Sequence, residues 1–288
     1  MNRKKRLLLL LVLLLIVLAG SIASWMSNRS EVRVQRITPY HTVEPEFGFS
    51  DNVIDWVDDR TGNPEIYAYD LATRQEKRIT TKSVRPDRPL VYRGKILWRD
   101  FRNNTQELYT YDPNTNEQVP AQGNFFPQPK PAPLHTEVPL PFPDAASYHE
   151  IEPDTIFGLR PDGVYRYGDS FISFSSEEKY STIRLATVAR PRPRTLTARA
   201  ETFITFCYNY RLVWVEYPQF QMPFSTNRNW DPPTLEIRCA DLQSGKQRHI
   251  AFVPFSSTTP RIWENRIAWA DTRTGNWDVF VATLKDAR

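Results

Sequence analysis

The chain has 288 residues, of which 40% are hydrophobic and 13% aromatic, so it is long enough to enclose a substantial core. Its formal charge of +4 is accounted for by Arg3, Lys4, Lys5 and Arg6, because the rest of the chain carries as many basic as acidic residues. A nucleic-acid-binding domain concentrates excess positive charge on its folded part, so this composition excludes that class of partner.

The N-terminus combines this basic segment, residues 1–6, with an apolar run from Leu7 to Met26. A helix of about 20 apolar residues spans a bilayer core of about 30 Å. Positive residues stay on the cytoplasmic side, which places the remaining chain in the periplasm or outside the cell. A cleaved signal peptide with a site at Ser21-Ile22-Ala23 is the alternative, but its apolar region is usually only about 7–15 residues. We therefore predict a transmembrane helix or uncleaved signal anchor over residues 7–26.

Three segments downstream share the pattern aliphatic-x-Trp-x-Asp-x-Arg: Val53–Asn63, Lys95–Asn104 and Arg266–Asn276. The two-residue alternation predicts a strand followed by a polar turn. A second predicted strand follows each turn, at Glu65–Leu71, Glu107–Asp112 and Asp278–Leu284.

Two weaker copies lie between them. Phe171–Ser175 leads to Thr182–Ala186, and Leu212–Glu216 leads to Glu236–Leu242. The aromatic position of the five copies is Trp56, Trp98, Phe174, Trp214 and Trp269. Repeats of about 40–50 residues with several strands are typical of β-propeller blades. The sequence therefore predicts an all-β fold, a five-bladed β-propeller over residues 32–288.

The outer strand of a blade is predicted at Glu76–Thr80 in the first copy and at Arg194–Thr197 in the third, whereas the fifth copy has none. Val34–Thr38 repeats the Arg-Ile-Thr of the first copy. A propeller closes when a terminal strand completes the blade at the other end of the chain. We therefore predict that Val34–Thr38 pairs with Val279–Leu284.

These residues resemble the TolB-type β-propeller repeats of bacterial and archaeal envelope proteins. The resemblance rests on the Trp-x-Asp-x-Arg-x-Gly-Asn turn, the Asp/Glu-Ile-Tyr strand and the Arg-Ile-Thr strand, and it covers residues 32–288. It implies an extracytoplasmic propeller, while such repeats specify a fold better than a function. TolB itself is periplasmic, with an extra N-terminal domain and six blades, and this chain matches neither of those two features.

Two insertions interrupt the repeats. Residues 120–163 are rich in proline, which favours extended backbone and argues against an interior strand. Residues 217–233 are predicted to lie between the second and third strands of the fourth blade. Their apolar side chains Phe220, Met222, Phe224 and Trp230 are candidates for partner binding.

The repeated charges Asp58, Asp100 and Asp271 each stand two residues before an arginine, namely Arg60, Arg102 and Arg273. Two inequivalent carboxylates are what a glycoside hydrolase needs. Repetition at one blade position instead favours structural Asp–Arg pairs, so we predict no catalytic residues here. The tryptophans are likewise expected to pack between blades rather than to bind sugar.

Other chemistry is predicted to be absent. His41, His135, His149 and His249 lack the spacing of metal ligands, and no glycine-rich phosphate loop or nucleophile elbow occurs, so no metal or cofactor is expected. Cys207 and Cys239 are predicted to lie on strands separated by the Trp214 strand, too far apart for a disulfide.

The leading functional hypothesis is a membrane-anchored, non-enzymatic scaffold or accessory subunit that binds other membrane or envelope proteins. A five-bladed glycoside hydrolase or carbohydrate-binding propeller is the first alternative. A periplasmic TolB-like component of an envelope system is the second.

Overall fold

The computed structural model describes residues 32–38, 45–80, 85–101, 105–121, 130–131, 141–142, 148–151, 157–159, 163–176, 181–200, 205–217 and 234–285. These residues are all-β. They contain no helix of the length and apolarity needed to cross a membrane. The basic segment 1–6 and the predicted span Leu7–Met26 lie outside the described residues.

The described strands form three four-stranded sheets and one 11-stranded sheet. The 11-stranded sheet contains two further four-stranded antiparallel runs, joined by the single pair Ala200–Glu216, so we number five four-stranded units in chain order. Unit 1 contains β2 (Phe47–Ser50), β3 (Val53–Asp58), β4 (Glu65–Asp70) and β5 (Gln75–Arg78). Unit 2 contains β6 (Asp87–Tyr92), β7 (Lys95–Asp100), β8 (Glu107–Asp112) and β9 (Glu117–Pro120). Unit 3 contains β13 (Gly163–Tyr167), β14 (Ser170–Ser176), β15 (Ser181–Thr187) and β16 (Arg190–Ala200). Unit 4 contains β17 (Thr205–Tyr208), β18 (Arg211–Glu216), β19 (Thr234–Asp241) and β20 (Gln247–Pro254).

Unit 5 contains β21 (Arg261–Trp263), β22 (Arg266–Asp271) and β23 (Asp278–Leu284), and its fourth strand is β1 (Val32–Arg36) from the start of the described chain. Val34 pairs with Ala282 and Arg36 with Phe280 in antiparallel register. The Ile37 N–H then donates to the Val279 carbonyl at 2.8 Å. The predicted pairing of Val34–Thr38 with Val279–Leu284 is confirmed.

Mixed apolar clusters join units 1 and 2, 3 and 4, 4 and 5, and 5 and 1. The aromatic side chains Trp56, Trp98, Phe174, Trp214 and Trp269 are fully buried in these clusters. Strands covered on both faces in this way lose the simple alternation of buried and exposed positions. Buried rings of this kind are unavailable as a sugar-binding platform.

The junction between units 2 and 3 is different. Phe142 and Tyr148, from the insertion 120–163, pack on Phe171 and Ala186 of unit 3. The same insertion forms β10 (Lys130–Pro131), β11 (His149–Ile151) and β12 (Phe157–Leu159). β11 pairs with β13 and β12 with β17, which are the first strands of units 3 and 4.

The expectation that this insertion contributes no interior strand is therefore wrong. The strand that lies inside the sheet, β11, contains no proline, whereas Pro131 lies in β10 at the sheet edge, where a missing N–H donor is tolerated. The second insertion falls between β18 and β19, the second and third strands of unit 4, as predicted.

The two cysteines lie where the strand order predicts. Cys207 is in β17 and Cys239 in β19, with β18 between them. Both thiols are free and buried. Burial raises the pKa of Cys239 to about 12.

The two ends of the units differ. Short turns such as 51–52, 93–94, 209–210 and 264–265 join the strands at one end, which we call the hairpin end. The opposite connection end carries the longer links, including 217–233. Hairpin ends of neighbouring units contact each other: Gly94 N–H donates to Asp51, Arg266 donates to Asn52, and Arg211 donates to the Glu264 carbonyl. All long links of these units therefore leave from one side of the molecule.

Candidate functional site

The Trp-x-Asp-x-Arg segments form a buried ion-pair motif at the connection end. In unit 1 the Trp56 indole N–H donates to Asp58 at 3.2 Å, and Arg60 donates to the same carboxylate through its backbone N–H and its guanidinium at 2.5–2.9 Å. The Arg60 guanidinium lies 4.2 Å from the centre of the Tyr67 ring, which in turn stacks on Trp56. The carboxylate thus fixes the turn after the second strand.

Unit 5 repeats this arrangement. The Trp269 indole donates to Asp271 at 2.8 Å, the Arg273 guanidinium donates to Asp271 at 2.5 Å, and Arg273 lies over Phe280. Asp58 and Asp271 are both completely buried. A buried charge needs a paired and hydrogen-bonded partner, which each arginine supplies. In both units the buried carboxylate is thus bound by the indole of its own strand and by the arginine two residues later.

A second motif explains the remaining repeat residues. The first residue of the third strand is an acid, Glu65 or Asp278, and it lies directly across from the first motif's Asp58 or Asp271. The arginine of Arg-Ile-Thr binds this second acid: Arg78 binds Glu65 and Arg36 binds Asp278. The threonine accepts the next backbone N–H, with Thr80 bonded to Ile66 and Thr38 to Val279 at 2.9 and 3.0 Å. Each pair of opposed carboxylates is thus matched by two arginines.

Units 2 and 3 keep less of the pattern. Asp100 is completely buried, and Arg102 lies outside the described residues. The Trp98 indole N–H has no hydrogen-bond partner within the described part of the chain, although Trp98 is as buried as Trp56. Phe174 has no N–H to donate, so unit 3 lacks the indole bond altogether.

This difference predicts unequal effects of Trp→Phe substitution. W56F removes the donor to Asp58 and leaves a buried carboxylate with one bond fewer, whereas W98F removes no hydrogen bond to a described residue. We expect W56F to lower the free energy of unfolding by about 1–2 kcal/mol more than W98F, since both lose the same ring area. Urea unfolding measures both, and equal losses would contradict the role given to the indole bond.

Unit 4 replaces the motif with a charged cluster, and this cluster is a candidate functional site. The Trp214 indole donates to Glu216 at 2.9 Å, and Glu216 is 2% exposed. Its cationic partners come from other strands, with Arg238 at 3.5 Å and Arg199 at 3.8 Å. Arg238 occupies the position that holds Tyr67 in unit 1, opposite the fourth strand.

The second acid of unit 4 is Glu236, which pairs directly across from Glu216. Arg238 donates to Glu236 at 2.8 Å, and the His249 ring nitrogen lies 3.0 Å from the same carboxylate. Burial alone raises the pKa of Glu236, but the His249 and Arg238 contacts outweigh it and the pKa is lowered. His249 takes the place of the Arg78 of unit 1, and the sequence reasoning missed it because it treated the histidines only as metal ligands.

A third group of charged side chains, which includes Arg261 and Asp55, lies beside the first strands of units 1, 4 and 5. The Arg261 guanidinium lies 5.3 Å from the Phe47 ring centre and 5.7 Å from that of Phe206. Asp55 is completely buried, and its Oδ1 accepts the Gly48 N–H at 2.6 Å. The Oδ2 atom has no hydrogen-bond partner among the described residues. A Cβ at position 48 would collide with this carboxylate, so glycine is required there.

The charged side chains of this group influence each other's pKa values. Burial raises the pKa of Asp55 to about 7, against the opposing effect of Arg261. Burial lowers the pKa of Arg261, while Asp55 and Glu46 oppose that change. A buried carboxyl that titrates near neutrality is able to exchange a proton under physiological conditions.

The candidate partner-binding residues Phe220, Met222, Phe224 and Trp230 all lie outside the described residues. Within the described part of the chain, no group of three or more His, Cys, Asp or Glu side chains is arranged to hold a metal ion.

No family model and no curated protein matches this sequence. Similar solved structures include TolB from Acinetobacter baumannii, with 14% identity, a TM-score of 0.24 and coverage of 83% of this chain and 54% of that one. A putative TolB from Agrobacterium tumefaciens has 12% identity, a TM-score of 0.27 and coverage of 86% and 78%. An oligogalacturonate lyase from Vibrio parahaemolyticus has 9% identity, a TM-score of 0.32 and coverage of 89% and 94%.

The present chain thus spans about half the length of the Acinetobacter TolB chain.

Proposed function

We propose that residues 32–288 form a five-bladed β-propeller in which each four-stranded unit is one blade. Three features support this: the five consecutive units, the apolar cluster that packs unit 5 against unit 1, and the completion of unit 5 by β1. A ring closed in this way leaves no open edge at the joint between the ends of the chain.

We further propose that residues 7–26 anchor this propeller outside the cytoplasm. The start of β1 supports one orientation of the anchored propeller, because Val32 pairs with Leu284, whose N–H donates to the Asn265 carbonyl in a hairpin-end turn. The chain therefore enters the propeller at the hairpin end. In an anchored protein the hairpin end faces the bilayer and the connection end faces away from it.

The proposed activity is that of a scaffold or accessory subunit that binds other envelope or membrane proteins. The observation that carries it is the asymmetry of the links: tight turns at one end and the long links, including 217–233, at the other. Loops held on a rigid framework are common sites of binding. The acids of the repeat motifs support a non-catalytic role, since Asp58 and Asp271 are each bound by an arginine.

Deletion of residues 218–231 in the full chain tests this proposal. We expect co-purifying proteins from native membranes to be lost while the unfolding midpoint changes by less than about 2 °C, because the deleted segment links neighbouring strands whose pairing remains. The quadruple variant F220S/M222S/F224S/W230S keeps the loop length and is expected to give the same loss. An unchanged set of co-purifying proteins in both variants would contradict the scaffold.

A carbohydrate-active or carbohydrate-binding propeller remains the second candidate, and one observation favours it. Asp55 and Glu46 are two carboxylates in different environments that both act on Arg261, beside the rings of Phe47 and Phe206. This candidate predicts that the protein binds acidic oligosaccharides and that R261Q abolishes the binding. If the wild type binds none, the scaffold is favoured.

A further inference from the structure

A basic pocket opens at the hairpin end between units 4 and 5. It encloses about 110 Å³. Its cations are Arg211 at the start of β18, Lys246 in the turn after β19, and Arg248 in β20. The remaining lining residues are Cys239, Asp241, Ser244 and Leu284.

The two arginines of the pocket are held in place by backbone carbonyls. Arg211 donates to the Glu264 carbonyl at 2.8 Å, and Arg248 donates to the Lys285 carbonyl at 3.0 Å. Asp241, the carboxylate among the described lining residues, accepts the backbone N–H and the hydroxyl of Ser244 at 2.7 and 2.6 Å. Among the described residues, three cations and one acid therefore line the pocket.

The floor of the pocket is apolar, because Cys239 and Leu284 are 4% and 2% exposed. Charges beside a buried apolar wall attract an anion more strongly than charges in open solvent do. Arginine and lysine donors arranged around a concave site suit the oxygens of a phosphate group.

The position of this pocket points to the source of the phosphate. Leu284 pairs with Val32, the first residue of β1, so the pocket lies beside the point where the chain enters the propeller. Residues 27–31 separate the predicted anchor from Val32, and five extended residues reach at most about 17 Å. The pocket then lies within reach of lipid headgroups.

We propose that the pocket formed by Arg211, Lys246 and Arg248 binds the phosphate of an anionic phospholipid headgroup and so fixes the hairpin end against the bilayer. The proposal rests on the proposed membrane anchor. Free inorganic phosphate offers the same chemistry, and the experiment separates the two sources.

The full chain in nanodiscs carries a fluorophore on Gln243→Cys, an exposed residue in the turn that contains Lys246. Asn276→Cys, exposed at the connection end of unit 5, is the control label. A six-residue strand separates the two ends by about 20 Å.

The buried cysteines label slowly, since the raised pKa of Cys239 leaves little thiolate at neutral pH. Energy transfer to a headgroup acceptor is measured in phosphatidylcholine and in mixtures with phosphatidylglycerol.

We expect transfer from position 243 to exceed transfer from position 276 and to rise with the anionic lipid. We expect K246Q/R248Q to weaken the affinity for anionic lipid, read from the lipid dependence of transfer, roughly 25-fold, because two cations near the membrane surface are lost. R85Q/R184Q, which removes two exposed arginines elsewhere, leaves it unchanged.

Transfer from position 243 that does not depend on the anionic lipid, or that both double variants change equally, overturns the pocket while leaving the anchor intact. If inorganic phosphate changes the transfer from position 243 and anionic lipid does not, the lipid is overturned as the source of the phosphate. The absence of transfer from both positions instead contradicts the proposed anchor.

Discussion

Gln35→Pro is expected to lower the free energy of unfolding by about 3 kcal/mol or more, because proline removes a ladder hydrogen bond and places its ring against the partner strand. Ile37 donates its N–H to Val279 at 2.8 Å, and N–H groups of an antiparallel strand face the partner at every second residue. Gln35, opposite Val281, therefore points its N–H at β23. Displacement of β1 also deprives the buried Asp278 of Arg36 and Thr38.

Val34→Pro is the matched control for this substitution. The N–H of Val34 points away from β23 by the same alternation, and β1 is the edge strand of its sheet, so no ladder bond is lost. We expect V34P to cost at least about 2 kcal/mol less than Q35P. Urea unfolding of the full chain, followed by tryptophan fluorescence, measures both. Equal losses would show that β1 is not part of the ladder.

Asp55→Asn is expected to change how stability depends on pH. The pKa of Asp55 is raised from 3.8 to about 7 in the folded protein, so the folded state holds its proton over a range in which the unfolded state has released it. Stability from this group is fully present below pH 4 and is lost as the pH rises towards 7. The loss amounts to about 4 kcal/mol by linkage.

Asparagine keeps the acceptor for the Gly48 N–H and cannot ionise. D55N should therefore match the wild type near pH 4 and be the more stable of the two at pH 8, with the gap opening between these values. Differences in unfolding free energy at several pH values measure this gap, and the other titrating groups cancel in the comparison. A wild type that gains on D55N as the pH rises would show that Asp55 is stabilised as a carboxylate.

The repeat residues and the closing strand could be predicted from the sequence because their signals are local. Trp56, Asp58 and Arg60 stand within five positions, and their contacts form inside one turn. The Arg-Ile-Thr of β1 could be matched to β5 because both bind the same kind of acid at the start of a third strand.

The features that the sequence did not predict depend on contacts between positions that are distant along the chain. Glu236, Arg238 and His249 come together only through the register of β19 and β20. Asp55 occupies a strand position that alternation would leave exposed, yet it is completely buried. In the same way, β11 and β12 are too short to stand out within a proline-rich insertion.

The central claim is that the strand following the predicted anchor completes the last unit in a defined register. Cysteines at Arg33 and Thr283 test it directly, because these residues pair across β1 and β23. Paired residues of an antiparallel ladder lie about 4.5–5.5 Å apart, within the range for a disulfide. R33C/T283C should form a disulfide under mild oxidation, detected by mass spectrometry, whereas R33C/A282C, with side chains on opposite faces, should not. Equal cross-linking of the two pairs, or none in R33C/T283C, would contradict the closed architecture.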